Sequence, residues 1–326
     1  MVRKKLFTIV FLISAAVMVC MNGCGPTNGD GAQLSKKFKP NAVVTYRLVS
    51  TSTQTVEWEG QTPEKEEFQP TENVTKVDIT FTEEIQSVDE EGNGLVKVTV
   101  NALKYSEVIK NKKTVEFDSA TNADPENALA KMLGQSYIIK LAPWREVVGV
   151  VETRDIQRAT RSPSSYGRAA TALLSVKAIE DRHGFVDLPR EKHAFQAGST
   201  WQSHKTFDFG LLGVQSFDRV YQVNSLDKTD SEMVASVDMS SSPAGKSVEE
   251  FKQETEMQAF QKAFNSSGTY NGKLLFNVTE GLVQSYKENL EAEWTILDPS
   301  AKENDAEGPV ALRMAASRSM SIDRVE

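Results

Sequence analysis

Cysteine is almost absent from this chain. Cys20 and Cys24 are the only two in 326 residues. Both stand near the start, so everything after residue 24 folds without a disulfide and depends on its core. Histidine is nearly as scarce, at three. A zinc site needs imidazoles at short, fixed spacing with thiolates or carboxylates beside them. His193 and His204 are eleven apart with no thiol between them. His183 closes an expected helix, where a cation suits the free carbonyls. All three read as capping or surface residues, and no metal is expected. Positive charge is also in deficit, with 37 Lys and Arg against 45 Asp and Glu. That argues against a nucleic-acid partner and against electrostatic adhesion to anionic lipid.

Catalytic signatures are missing as well. No Gly-x-Ser-x-Gly elbow and no phosphate-cradling glycine loop occur. Ser225-Leu226-Asp227-Lys228 matches Ser-x-x-Lys in letters, but it enters a turn from a strand rather than opening a helix. Asp89–Gly94 has the acids and glycines of a calcium loop. The twelfth position should then be a bidentate Glu, and it is Val100. Asp227–Glu232 fails in the same way. Asn73, Asn265 and Asn277 fit the glycosylation pattern but read as strand and turn residues. The expectation is a non-enzymatic protein with no cofactor.

What is present begins at the N-terminus. Arg3, Lys4 and Lys5 precede the apolar run Leu6–Val19, which is the length of a signal-peptide core and short for a membrane span. Met21-Asn22-Gly23-Cys24 then resembles the bacterial lipobox. Met21 stands where leucine is usual, and Asn22 is larger than the usual small residue. The resemblance implies cleavage before Cys24 and acylation of its thiol by lipid, palmitate among the acyl groups. The membrane would then be a partner through that lipid, without being crossed. Gly25 stands where aspartate would retain such a protein at the inner membrane, so the same sorting rule implies delivery to the outer membrane of a bacterial envelope. Three of the 37 basic residues precede Cys24 and no acidic ones do, leaving 34 against 45, a net −11.

Along the chain, Gly25–Ser35 reads as a flexible tether. Alternating apolar residues mark strands at Val43–Trp58, at Val77, Ile79, Phe81 and Ile85, and at Val96, Val98 and Val100. Asp89–Gly94 turns one strand into the next, and Leu103 and Tyr105 break phase as at a bulge. Asp124-Pro125 opens a short helix stopped by Gly134. Tyr137–Leu141 and Glu146–Glu152 form a hairpin. Ala169–Arg182 reads as one connecting helix, with Gly184 as its stop. Arg154, Arg158, Arg161 and Arg168 before it are a local basic excess. They read as a solvated helix entry, with lipid headgroups the alternative. Val248–Phe264 reads as a helix behind a capping box. Its Phe251, Phe260 and Phe264 are core or a lid over a groove. Gly272–Val278 and Leu282–Leu297 form a hairpin, and Val310–Val325 is a last strand or a tail.

A repeat runs through this order. Ile85-Gln86-Ser87-Val88-Asp89 is echoed by Val223-Asn224-Ser225-Leu226-Asp227. Phe38-Lys39-Pro40-Asn41 is echoed by Phe195-Gln196-Ala197-Gly198. The fold expected is mainly β, with two similar antiparallel sheet halves joined by a connecting helix and a few short helices packed on them. The segments are 1–23 signal peptide, 24–37 lipidated tether, 38–160 first half, 161–190 connector, 191–298 second half and 299–326 acidic loop with a strand or tail.

Lys39–Tyr46, Val88–Val100, Leu133–Val151 and Gly198–Trp201 resemble an uncharacterised family of secreted, duplicated, β-rich bacterial lipoproteins. That likeness implies fold and location and brings no activity. A looser likeness, of architecture alone, is to lipoprotein carriers that cup an acyl chain in a curved half-barrel. The expected function is a non-enzymatic cell-envelope lipoprotein that binds an apolar ligand or an envelope component. The alternative is a structural or interaction lipoprotein without a small-molecule ligand, with an envelope hydrolase third.

Overall fold

Strands predominate, and they form one sheet. The computed structural model describes residues 31–59, 69–121, 124–209, 214–243, 264–297 and 311–325. Cys24, the signal segment, and Phe251 and Phe260 of the expected helix lie outside them.

The strands in chain order are β1 (Val43–Glu59), β2 (Thr71–Val88), β3 (Gly94–Ile109), β4 (Lys112–Asp118), β5 (Ser136–Leu141) and β6 (Val147–Glu152). Then come β7 (Thr200–Asp208), β8 (Val214–Lys228), β9 (Met233–Pro243), β10 (Phe264–Asn277), β11 (Leu282–Leu297) and β12 (Ala311–Val325). Their order across the sheet is β6-β5-β3-β2-β1-β12-β11-β10-β9-β8-β7, with β4 paired to β3. All pairings are antiparallel. The two halves are therefore not separate sheets. The segment expected as strand or tail is β12, and it zips β1 to β11 in the middle. Its alternation was faint because Ala315, Ser317, Ser319 and Ser321 are small on one face and Arg318 interrupts the other.

The echoed motifs have the same structure. Asn41 and Gly198 both sit at positive φ, 64° and 85°. The Asn41 N–H bonds the Ile85 carbonyl at 2.8 Å, and the Gly198 N–H bonds that of Val223 at 2.7 Å. The Ile85 and Val223 N–H groups return bonds to Ala42 and Ser199, both at 2.9 Å. One residue further on, each strand bulges, between Ile85 and Ser87 in β2 and between Val223 and Ser225 in β8. The bulge expected at Leu103 and Tyr105 lies two residues earlier, where Asn101 is passed over between Thr80 and Phe81 of β2.

Because side chains alternate across a strand, one face collects Tyr46, Leu48, Ile79, Phe81, Val96, Val98, Tyr286, Leu290 and Ile322, all buried. The β6–β7 connection links the two sheet edges and packs onto this face. It holds three short helices, α1 (Arg154–Ala159), α2 (Ser165–Leu173) and α3 (Val176–His183). The single helix expected at Ala169–Arg182 is broken at Leu174–Ser175. The Ser175 side chain accepts from the Ala178 N–H and starts α3, the usual role of serine at a helix start. Gly184 ends α3 as expected. The helix expected after Pro125 is a run of turns with a single 3-10 turn at Ala130–Met132. Phe264, expected to end a helix, opens β10.

The tether is also more ordered than expected. From Gly31 it is a strap: Ala32 exchanges both backbone bonds with Phe195 at 2.8 Å, and Leu34 is 1% exposed. The Lys37 N–H bonds the Gly281 carbonyl. Gly281 sits at φ 70°, and a Cβ there would lie 2.5 Å from the Lys37 nitrogen, so this crossing excludes any side chain.

Candidate functional site

The covered face holds two charged centres and a second apolar cluster, and a basic cleft lies among the helices of the β6–β7 connection. The first centre is sealed. Phe81, Glu83 and Ile85 share the covered face of β2, so the pattern that buries the two hydrophobes buries Glu83 with them. Lys36 of the strap reaches it at 2.9 Å, and Arg145, at positive φ in the β5–β6 turn, at 3.1 Å. His183, the last residue of α3, lies four residues after Ile179 and so faces inward with it. Its Nδ1–H donates to Glu83 Oε1 at 3.1 Å, and its Nε2 accepts from the Tyr137 hydroxyl at 2.7 Å. Arg182 donates to that hydroxyl at 2.9 Å and to the Leu173 carbonyl at 2.8 Å.

Burial pushes the His183 imidazole down to about 4 against the pull of Glu83, so it is neutral near pH 7. Burial likewise lowers Lys36, to about 8, against the same carboxylate. Burial raises Glu83, but Lys36, Arg145 and the His183 hydrogen bond outweigh it and hold the carboxyl well below its usual range. Glu–His–Tyr has the outline of a proton relay. With Glu83 and His183 at 0% exposure and Tyr137 at 1%, no substrate reaches it; its partners are the strap, the sheet and the connector. The capping or surface role expected for His183 is corrected accordingly.

The second centre lies under β7–β12 and is partly open. Arg219 pairs with Asp187 and donates to the Tyr270 hydroxyl at 3.3 Å. Tyr270 and Tyr286 both donate to Glu288. Burial pushes both phenols well up and the Glu288 charge adds to it, so they stay protonated donors. Lys205, lowered by burial, lies 3.6 Å from Asp181. Trp201 stacks on Tyr221 with ring centroids 4.8 Å apart. A cleft of about 480 Å³ opens here, lined by Trp144, Asp187, Arg190, Trp201, Ser203 and Lys205 among others. The Ser203 hydroxyl is buried without a hydrogen-bond partner. Among the described residues no base bonds it, and the cleft can hold a polar group.

The second apolar cluster is Ala292, Trp294, Met314 and Ala316, with Val56, Phe209 and Leu312 packed on it. It occupies the covered face toward the other end of β1, β11 and β12, away from the strap. Register places the rows Ser50–Met320–Glu288 and Ser52–Arg318–Leu290 next to it; Met320 and Leu290 belong to the main core, and Phe209 packs on both clusters, while Glu288 and Arg318 set charge between them. Phe209 meets Trp294 edge-on at 5.1 Å.

The remaining sequence candidates scatter. His204 is exposed and bonds Asp218 at 2.9 Å, and exposed His193 stacks on Phe195. Ser225 bonds Asp227 at 2.9 Å. Asn73, Asn265 and Asn277 all lie on strands. Among the described residues no three His, Cys, Asp or Glu gather as a metal site, and no helix is long and apolar enough to cross a membrane. Arg154, Arg158 and Arg161 share a cleft beside α1, which Arg168 does not line.

No protein-family model matches the chain, and no curated protein does. Among solved structures, one described as lipid–protein interactions in lipovitellin is similar over 89% of this chain, at 10% sequence identity and a TM-score of 0.41. This chain spans about a quarter of that one, 25% of its length.

Proposed function

We propose that the chain is a non-enzymatic lipoprotein of the bacterial cell envelope, anchored through Cys24, that binds an apolar ligand at the Trp294–Met314 cluster. One observation carries the site. An apolar cluster stands on the covered face beyond rows that include Glu288 and Arg318. A face shaped for stability alone gains most from one continuous core. The cluster is buried, with Trp294 at 3% and Met314 at 8% exposure, so the hydrophobic part of a ligand, an acyl chain for example, enters it by displacing the side chains that now cover it. The sealed Glu83 centre ties strap, sheet and connector together at the other end and leaves this end to the ligand.

The test is solvent extraction and mass spectrometry of the Cys24→Ser protein purified from envelopes, which removes the anchor lipid from the count. The reading expects a co-purified apolar molecule at about one per chain and its loss in Met314→Glu. No molecule in either preparation would overturn it.

A second reading rests on the sheet edges. β6 and β7 end the sheet, and β6 exposes Val148 at 46% and Val151 at 59%. An unpaired edge with apolar side chains suits strand addition by an envelope protein. Crosslinking from a residue placed at Val151 separates this from the first reading.

A further inference from the structure

We propose that the cleft between α1 and the α2–α3 junction is an anion site for a phosphate group, on a phospholipid headgroup or on a soluble phosphate compound. The cleft is about 520 Å³, within the range of small-ligand pockets. It is lined by Arg154, Arg158 and Arg161, with Thr160, Thr171 and Ser175 as hydroxyl neighbours. Arg154 and Arg158 are one helical turn apart and face the same side of α1. Thr160 caps α1, and the Arg161 N–H continues the turn to the Arg158 carbonyl at 3.4 Å. Three exposed arginines thus line one cleft of a chain whose overall charge is negative.

Their carboxylate neighbours are few. Among the described residues one ion pair reaches the three arginines, Asp155 to Arg158 at 3.6 Å, with both side chains more than 70% exposed. Such a pair is weak. Like charges at this spacing repel and destabilise a short helix, so the arrangement detracts from folding unless an anion neutralises it. The frame beneath is rigid. Ile156 is fully buried under α1, and the Thr160 hydroxyl bonds the Ile156 carbonyl at 2.9 Å. Gln157 donates to the Leu174 carbonyl at 3.3 Å and so ties α1 to the end of α2. Guanidinium forks held on such a frame suit the oxygens of a phosphate, which each can grip through two donors.

The experiment uses full-length Cys24→Ser protein, so that no anchor lipid contributes. Isothermal titration with inorganic phosphate and with glycerol phosphate forms one arm. Flotation with phosphatidylglycerol vesicles, against vesicles of neutral glycolipid, forms the other. Saturable binding in the first arm with no flotation assigns a soluble phosphate. Flotation that needs the phospholipid assigns a headgroup. In either case Arg158→Gln weakens binding about tenfold, the loss of one charge-assisted contact. The triple change to Gln at Arg154, Arg158 and Arg161 abolishes it. Arg168→Gln, on an exposed residue outside the cleft, leaves it unchanged. Three results overturn the proposal: no saturable binding in either arm, a triple variant that binds like the parent, or an Arg168→Gln loss equal to that of Arg158→Gln.

Discussion

Replacing Glu83 with Gln isolates what the sealed centre does. The carboxylate is fully buried and faces Lys36 at 2.9 Å and Arg145 at 3.1 Å. The amide keeps the shape but not the charge, so two buried cations lose their counter-ion. Breaking a buried pair from one side costs about 3–5 kcal/mol, most of it the penalty on the charge left behind. Unfolding entropy of roughly 2.1 cal/mol/K per residue, over roughly 295 residues, gives about 0.6 kcal/mol/K. The melting temperature should therefore fall by about 5–8 °C in thermal unfolding followed by circular dichroism. Lys36→Met is the internal control. It removes one buried cation and leaves Glu83 with Arg145 and His183, so its shift should be less than half as large. A Glu83→Gln shift below about 2 °C, or a Lys36→Met shift equal to it, would refute the reasoning.

Four further outcomes follow from the same geometry. His183 is held neutral down to about pH 4, while in the unfolded chain it takes a proton below about 6.5. Stability should thus fall by about 3 kcal/mol between pH 6.5 and 4, and Glu83, whose carboxyl is held low, adds loss below its unfolded value. Thermal melts across pH should show a shallower acid slope in His183→Gln. Tyr137→Phe removes a hydroxyl that accepts from Arg182 and donates to His183. Its cost of about 1–3 kcal/mol is readable by urea unfolding. Gly281→Ala places a Cβ against the strap, so amides 32–37 should lose protection in hydrogen exchange while β2 and β3 keep theirs. Intact mass of membrane-extracted protein should show a chain starting at an acylated Cys24, and Cys24→Ser should lack the acyl mass.

The strands were legible because a period of two is local. Val96, Val98 and Val100 announce a face without reference to the rest of the chain, and the echo of Ile85–Asp89 in Val223–Asp227 marks two bulges in equivalent places. Sheet order was not legible. Nothing in β1 or β12 alone says that they pair, since their partners, from Thr45 with Val325 to Glu59 with Ala311, stand far apart in the chain. The sealed centre leaves a trace in the sequence: Glu83 occupies an inward position between Phe81 and Ile85, and an inward charge requires a buried partner. His183 follows Ile179 by four, which places it on the buried side of α3. Ala32, Leu34 and Lys36 alternate as a buried strap does, but among Gly, Ser and Lys residues that alternation looks like a linker. The Trp294–Met314 cluster was hidden differently. Its members lie on two strands and gather only through the β11–β12 register.

The most direct test of the ligand site is a titration of the protein with an acyl chain brominated near its middle, followed by tryptophan fluorescence. Bromine quenches at short range, and Trp294 lies in the cluster while Trp144 lies at the polar cleft. Trp58 stands one row further on the same face, so the account predicts saturable quenching that Trp58→Phe with Trp294→Phe largely removes and Trp144→Phe leaves in place. Undiminished quenching in the Trp58→Phe, Trp294→Phe double variant, or none that saturates, would contradict it.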